Sequence, residues 1–192
     1  MKIDFIIPTY NRPNHLMCII NSIFAQTNPN WTINVVADCP PEGSLDKIMD
    51  YFKDSEKIKF TILPQRYNDW GHTPRNIGVE QSVEEWVVMT GEDNYYVPIF
   101  VDEFLSKVTP NSHFIYCDMV HNWVKQTYKC ISSRPQYGLI DIGNFMTRTK
   151  FAKEVKLNIT KMAADAIFVA DYLKKYPQGE VIHIEKALYV HN

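Results

Sequence analysis

The sequence lacks the features that mark membrane-spanning, disulfide-rich and zinc-binding proteins. None of its apolar runs approaches the roughly 18 residues that a membrane-spanning helix needs. Its four cysteines are scattered without CxxC spacing, so we expect free thiols in a reducing cytoplasm and no zinc site. The apolar run at the N-terminus is short and Asp4 interrupts it, which predicts a first strand and no signal peptide.

An excess of charge of either sign is also missing. The formal net charge at pH 7 is −2, which gives no support for binding nucleic acid or a membrane surface through bulk electrostatics. The 192 residues are enough for one domain with a substantial core and few for two. We therefore expect one soluble globular domain without a transmembrane segment.

What the sequence does contain is a regular alternation of strand and helix patterns. Apolar, β-branched runs predict strands over residues 2–7, 31–37, 57–63 and 86–89. Helical periodicity and first-turn prolines predict helices over residues 15–26, 45–52 and about 74–82. This order is typical of βαβ units, which build a parallel sheet.

The second half of the chain continues the pattern less regularly. We predict a helix over residues 99–107, a strand over 113–119, a hairpin or loop over 122–133, a strand-like run over 137–148, a helix over 162–175 and a strand over 181–190. The predicted fold class is a single α/β domain over residues 1–192, with a mostly parallel central sheet flanked by helices.

Two adjacent carboxylates follow the fourth predicted strand. Glu92 and Asp93 come directly after a break at Gly91, and Pro98 can begin the next helix. Ligands of α/β proteins sit at the carboxyl ends of strands, and acids placed there can hold a divalent metal against phosphate oxygens. An ordinary acidic turn explains the same residues, because Asp and Asn are common turn formers.

The order of these pieces resembles that of the family 2 glycosyltransferases of the GT-A (Rossmann-like) fold, over nearly the whole chain. The segment Ile6-Ile7-Pro8-Thr9-Tyr10-Asn11-Arg12-Pro13 is similar to the first strand and nucleotide loop of that family. The segment Arg75-Asn76-Ile77-Gly78 is similar to the helix start that precedes the family's metal strand. The resemblance implies a nucleotide-binding half over residues 1–98 and an acceptor and catalytic half over residues 99–192.

The resemblance also implies a UDP-sugar donor and residues that bind it. Asp38 would accept a hydrogen bond from uracil, in a pocket that Pro8, Thr9 and Tyr10 form. Arg12 and Arg75 would pair with phosphate, for which a guanidinium is well shaped. The implied donor-binding residues are Pro8, Thr9, Tyr10, Arg12, Asp38, Arg75, Asn76, Glu92 and Asp93.

A metal site and a catalytic base follow from the same resemblance. The family usually has Asp-x-Asp where this sequence has Gly91-Glu92-Asp93, so Asp93 inherits the direct metal contact. With His191 it would hold Mn²⁺ (or Mg²⁺), and imidazole favours Mn²⁺. Asp165 would act as the base for transfer, with inversion, to a glycan or another hydroxyl acceptor. Asp141 and Asp118 are reserve candidates for the base.

Two other functions stay open. A catalytically inactive nucleotide-sugar or glycan-binding module would account for the missing first acid of the metal motif. A sugar-1-phosphate nucleotidyltransferase shares the layout, but its triphosphate needs a glycine-rich loop and residues 8–13 contain no glycine. Four ring-bearing side chains would suit a sugar-stacking surface, although ordinary packing explains each of them at least as well: Trp70, His72, Trp123 and Tyr137.

Overall fold

A computed structural model describes residues 1–122 and 127–192 of the chain. The described strands are β1 (Ile3–Thr9), β2 (Trp31–Ala37), β3 (Ile58–Ile62), β4 (Trp86–Met89), β5 (Tyr95–Tyr96), β6 (Ser112–His121), β7 (Lys129–Ile131), β8 (Phe145–Arg148) and β9 (Glu180–His191). The described helices are α1 (Pro13–Phe24), α2 (Asp46–Phe52), α3 (His72–Gln81), α4 (Phe100–Ser106), α5 (Thr149–Val155) and α6 (Ala164–Lys175). Trp123 and part of the predicted hairpin over residues 122–133 lie outside the described residues.

The strands pair into one mixed sheet. Its order is β3-β2-β1-β4-β8-β6-β9-β5, and β7 pairs with β6 at the side of this path. Strands β1 to β4 are parallel to one another, and β6 and β9 point the same way because β8 is antiparallel to both β4 and β6. The predicted α/β domain with a mostly parallel sheet is confirmed.

Helices cover both faces of this sheet. On β1, Phe5 faces a cluster that includes apolar side chains of α1, α2 and α4. The next residue, Ile6, faces a second cluster built with α3, α5 and α6. Burial on both faces explains why the central strands are mostly apolar on both sides and lack a regular alternation of apolar and polar residues. No helix in the described part of the chain is both long enough and apolar enough to cross a membrane.

The second half departs from the predicted elements. The strand-like run over residues 137–148 forms a strand only over β8, at its end. A turn occupies its middle, where the backbone N–H of Gly143 donates to Asp141 Oδ1 (3.0 Å) and that of Asp141 donates to Asn144 Oδ1 (3.1 Å). Strand β5 and helix α5 were not predicted, and both are short.

Candidate active site

A cleft of about 740 Å³ opens where strands β1, β2 and β4 end. The carboxyl ends of parallel strands are where α/β proteins bind ligands. The structure brings most of the predicted site residues to this cleft. Those that line it are Pro8, Thr9, Tyr10, Arg12, Asp38, Arg75, Glu92, Asp93 and His191.

The acidic turn after β4 is tied to the loop after β1. The hydroxyl of Thr9 donates to the carboxylate of Glu92, and Arg12 Nη1 donates to Asp93 Oδ2 at 2.9 Å. Arg12 Nε also lies 3.7 Å from Glu92 Oε1. Burial raises the pKa of Glu92, while the Thr9 hydrogen bond and Arg12 act in the opposite direction. One arginine therefore pairs with two neighbouring carboxylates in the cleft.

Arg75 forms the floor of the cleft. Its side chain is buried, Nε donates to the carbonyl oxygen of Thr90 (2.9 Å), and Nη1 donates to that of Trp70 (2.9 Å). A Cβ at Gly78 would lie 2.3 Å from Ile6 Cγ2, so only glycine lets α3 approach β1 this closely. Burial lowers the pKa of Arg75, and Asp141 is the strongest opposing charge. The guanidinium nevertheless stays protonated, because no arginine deprotonates at physiological pH.

Asp38, at the end of β2, holds one wall of the cleft. Its two carboxylate oxygens accept the backbone N–H groups of Tyr67 (2.8 Å) and Asn68 (3.0 Å). Each oxygen keeps a second lone pair, so Asp38 can still accept a hydrogen bond from a ligand. The guanidinium carbon of Arg66 lies 3.6 Å from the centroid of the Tyr10 ring and covers one face of it.

His191 belongs to a group of three potential metal ligands. Asp141 Oδ2 lies 3.5 Å from His191 Nε2, and the His121 and His191 rings stack with centroids 4.0 Å apart. One ligand atom from each of the three residues lies within 4.8 Å of the others. Burial, followed by His191, lowers the pKa of His121 to about 4, so this ring is neutral at pH 7.

His121 was not among the predicted site residues, and Asp141 was predicted only as a reserve base. One signal was available, since both histidines stand directly after apolar strand residues. The structure places Asp118, the other reserve base, elsewhere. Its Oδ1 accepts the backbone N–H of Ser133 (2.8 Å) and lies 2.7 Å from His183 Nε2.

Asp93 and His191, the predicted metal ligands, line the same cleft, and their surroundings fit a cation. The buried Nδ1 atom of His191 has no hydrogen-bond partner among the residues that the structure describes. Carboxylate and imidazole together suit Mn²⁺ better than Mg²⁺, which prefers oxygen ligands alone. In this structure Asp93 is paired with Arg12, so a cation at Asp93 competes with that ion pair.

Asp165 lies in the first turn of α6 and lines a second cleft, of about 310 Å³, with Tyr137, Ile140 and Met162. Its Oδ1 accepts the backbone N–H of Ala166 at 2.7 Å. Burial raises the pKa of Asp165, Asp141 raises it further, and Arg75 lowers it. Arg75, which lines the larger cleft, therefore links the two clefts through its electrostatic attraction to Asp165.

Asn76 does not line the larger cleft, although it was predicted to bind the donor. Its Nδ2 donates to the carbonyl oxygen of Leu157 (3.0 Å), and its Oδ1 accepts the N–H of the same residue (2.8 Å). The side chain thereby joins α3 to the segment after α5. Trp70 does line the larger cleft and is largely exposed there.

Comparison with known proteins shows which family the chain resembles. Residues 4–165 match the model named Glycosyl transferase family 2, and the match ends at Asp165. An uncharacterised glycosyltransferase from Haemophilus influenzae is 26% identical over 125 residues, which are 62% of this chain. The chain spans 40% of the length of that relative.

Solved structures show the same fold. Staphylococcus aureus TarS in complex with UDP-GlcNAc superposes with a TM-score of 0.80 at 21% identity, over 100% of this chain and 58% of that one. The mannosyltransferase PcManGT from Pyrobaculum calidifontis, in complex with GDP-Man and Mn²⁺, superposes with a TM-score of 0.74 at 13% identity. That superposition covers 99% of this chain and 56% of the mannosyltransferase.

Proposed function

The chain belongs to glycosyl transferase family 2, and from this premise we propose that it transfers a sugar from a UDP-sugar to an acceptor hydroxyl with inversion. The observation that carries the proposal is the position of Arg75, whose guanidinium lines the larger cleft and attracts Asp165 of the smaller one. The larger contains basic, acidic and aromatic groups that suit a nucleotide diphosphate, and the smaller contains a half-buried carboxylate whose pKa is raised by its burial.

We propose that the larger cleft binds the donor. Asp38 accepts the uracil N–H with its remaining lone pairs, and Tyr10 lies beside the base. Arg12 turns from Asp93 to the diphosphate, where charge-assisted hydrogen bonds are strong. TarS binds UDP-GlcNAc, which supports UDP as the nucleotide, and the sugar of this chain's donor is left open.

Asp93 and His191 would hold a divalent cation, and we propose Mn²⁺. When bound, such an ion neutralises the negative charge that develops on the departing diphosphate. The Mn²⁺ complex of the related mannosyltransferase supports this assignment. The carboxylate of Glu92 accepts a hydrogen bond from the hydroxyl of Thr9, and this bond orients the turn that carries Asp93.

We propose that the smaller cleft binds the acceptor. Tyr137 and Met162 are largely exposed at its edge and offer an apolar surface to a sugar ring, while Asp165 takes the proton from the attacking hydroxyl. The raised pKa of Asp165 makes it a stronger base than an ordinary aspartate once it is deprotonated. Attack on the anomeric carbon from the face opposite the nucleotide inverts its configuration.

Calorimetric titration of UDP tests the donor site, first with Mn²⁺ and then with EDTA. Metal-dependent binding, followed by release of UDP from one of a panel of UDP-sugars, is the expected result. A folded chain that binds no UDP under either condition would contradict the proposal.

A catalytically inactive binding module is the second candidate, and one observation favours it. Gly91 stands where relatives carry the first acid of the metal motif, and Arg12 already neutralises Asp93. The two candidates differ in hydrolysis of the donor. Slow release of UDP from the sugar nucleotide that disappears in Asp165→Asn supports the enzyme, whereas binding without any hydrolysis supports the module.

A further inference from the structure

The strongest unassigned feature is the group formed by His121, Asp141 and His191. Strands β6 and β9 are parallel, and their register pairs His121 with His191. The two histidines are therefore neighbours at the carboxyl ends of these strands. Neighbouring strands lie about 4.8 Å apart, so side chains paired in register come into contact. The two rings stack, with 4.0 Å between their centroids and an angle of 13° between their planes.

Asp141 is fixed rigidly beside these rings. Its Oδ1 accepts the hydroxyl of Tyr189 (2.6 Å) and the backbone N–H of Gly143 (3.0 Å). The other oxygen, Oδ2, faces His191 Nε2. The turn that carries Asp141 is itself anchored, because Asn144 Nδ2 donates to the carbonyl oxygen of Cys117 at 2.8 Å.

We propose that His121, Asp141 and His191 form a divalent-cation site that is complete without a nucleotide. The ligand set of two imidazoles and one carboxylate suits Mn²⁺, Fe²⁺, Co²⁺ and Zn²⁺, and it disfavours Mg²⁺. A metal ion about 2.1 Å from each ligand atom separates those atoms by roughly 3.0 to 3.5 Å. The three atoms lie within 4.8 Å, so small side-chain rotations close the site.

The site differs in a testable way from the cation site of the proposed function. Asp93 and His191 supply only two protein ligands, so a cation held by them needs the diphosphate to complete its coordination. The new site supplies three ligands, only one of which is shared. The existence of the three-ligand site does not depend on the proposed function. Only a role of this site in sugar transfer would rest on the proposed function.

Titration of Co²⁺ into the nucleotide-free chain, after treatment with EDTA and dialysis, tests the proposal. We expect one Co²⁺ per chain, visible d–d absorption, and a binding isotherm in calorimetry. The affinity for Co²⁺ should fall at least about tenfold in His121→Gln and in Asp141→Asn. It should not change in Asp93→Ala, or in His183→Ala, which removes another β9 histidine that is paired with Asp118.

Binding of Co²⁺ that appears only with UDP, or that Asp93→Ala abolishes while His121→Gln retains it, would overturn the proposal. X-ray absorption of the Co²⁺-loaded wild-type chain needs no variant, so a variant that fails to fold leaves the test intact. Two imidazole ligands support the site, and one imidazole contradicts it. The outcomes also separate the two proposals, because Co²⁺ binding without UDP binding would reject the donor site alone.

Discussion

Arg75 Nε donates a hydrogen bond of 2.9 Å to the carbonyl oxygen of Thr90, the last residue before the turn that carries Glu92 and Asp93. This contact joins the start of α3 to the end of β4 in the interior of the protein. Because the same guanidinium attracts Asp141, Asp93 and Asp165, it is the positive charge around which the acidic groups of both clefts are arranged.

Replacing Arg75 should therefore damage stability as well as binding. Arg75→Ala leaves the buried carbonyl group of Thr90 without this donor and removes the positive charge that attracts Asp141 and Asp165, so the free energy of unfolding should fall by about 3 to 5 kcal/mol. Urea denaturation measures the loss. Arg66→Ala, which removes an exposed arginine of the same cleft, should change stability by less than about 1 kcal/mol. Equal losses in both variants would contradict this role of Arg75.

Asp165→Asn should abolish sugar transfer without affecting the donor site. An amide cannot take a proton from the acceptor, so kcat should fall at least about 100-fold. The affinity for UDP, measured by calorimetry, should remain that of the wild type, because Asp165 does not line the larger cleft. Activity of Asp165→Asn within a few-fold of wild type would exclude this residue as the base.

The wild-type pH profile should carry the mark of the same carboxyl group. Burial raises the pKa of Asp165, and the base works only when it is deprotonated. Activity should thus decline on acidification at a higher pH than an ordinary aspartate would produce. A profile of kcat/KM against pH, collected with constant ionic strength, measures this limb. If kcat/KM instead declined at the pKa of an unperturbed aspartate, Asp165 would not be the base.

Arg12→Gln should weaken UDP binding and reduce its dependence on salt. The guanidinium is released from Asp93 when it pairs with the diphosphate, and the loss of one charge-assisted hydrogen bond should reduce affinity by about tenfold. Calorimetry at two salt concentrations in the presence of Mn²⁺ provides the measurement. Lys53→Gln is a matched control, since Lys53 is exposed and pairs with Asp50 at the end of α2, away from the cleft. Unchanged UDP affinity in Arg12→Gln would show that Arg12 pairs with Asp93 and does not bind the diphosphate.

Asp38→Ala should loosen the loop over residues 64–71. The change removes the acceptor of two backbone N–H groups, those of Tyr67 and Asn68. Trypsin should then cleave after Arg66 faster than in the wild type, and Asp38→Asn, which retains one carbonyl oxygen, should fall between the two. Cleavage rates followed by mass spectrometry give this order. Equal rates in all three proteins would mean that the loop is held by other contacts.

Asp4→Asn should stabilise the protein at neutral pH. Burial raises the pKa of Asp4, so the folded state holds its proton more tightly than the unfolded state. The ionised carboxylate consequently costs stability above that raised pKa, and the cost disappears as the pH falls through it. Urea unfolding should show that Asp4→Asn has a higher free energy of unfolding than the wild type at pH 7.5. This difference should be smaller at pH 4.5. A gain independent of pH would contradict this origin.

The first half of the fold was predictable because its signals are local. The observed bounds of β2 and β4 equal the predicted ones, since both strands are buried on two faces and are rich in apolar, β-branched residues. First-turn prolines and the order of strands were enough to indicate the parallel sheet. Most of the cleft residues were implied by the resemblance to the family 2 glycosyltransferases, and only Glu92 and Asp93 were also predicted from their place after a strand.

The second half depends on contacts that leave no local pattern. The two residues of β5 are a strand only because Tyr95 and Tyr96 pair with Val190 and Tyr189, far along the chain. The pairing of His121 with His191 requires the shifts in register between β6 and β9 around Asp118. A β-bulge of this kind cannot be derived from the alternation of apolar residues, so the grouping of His121 with His191 was not predicted.

Strand β9 is the last of the described strands in sequence, yet it lies inside the sheet, between β6 and β5. A ribosome that synthesises this chain releases β5 and β6 long before residues 180–191 emerge, so both strands must wait with open hydrogen-bonding edges. Open edges invite pairing with other chains, and contacts between distant segments form slowly. Strand β9 contributes His191 to the candidate active site. Because β9 is synthesised last among the described strands, the same strand also determines how long the nascent protein is exposed to aggregation.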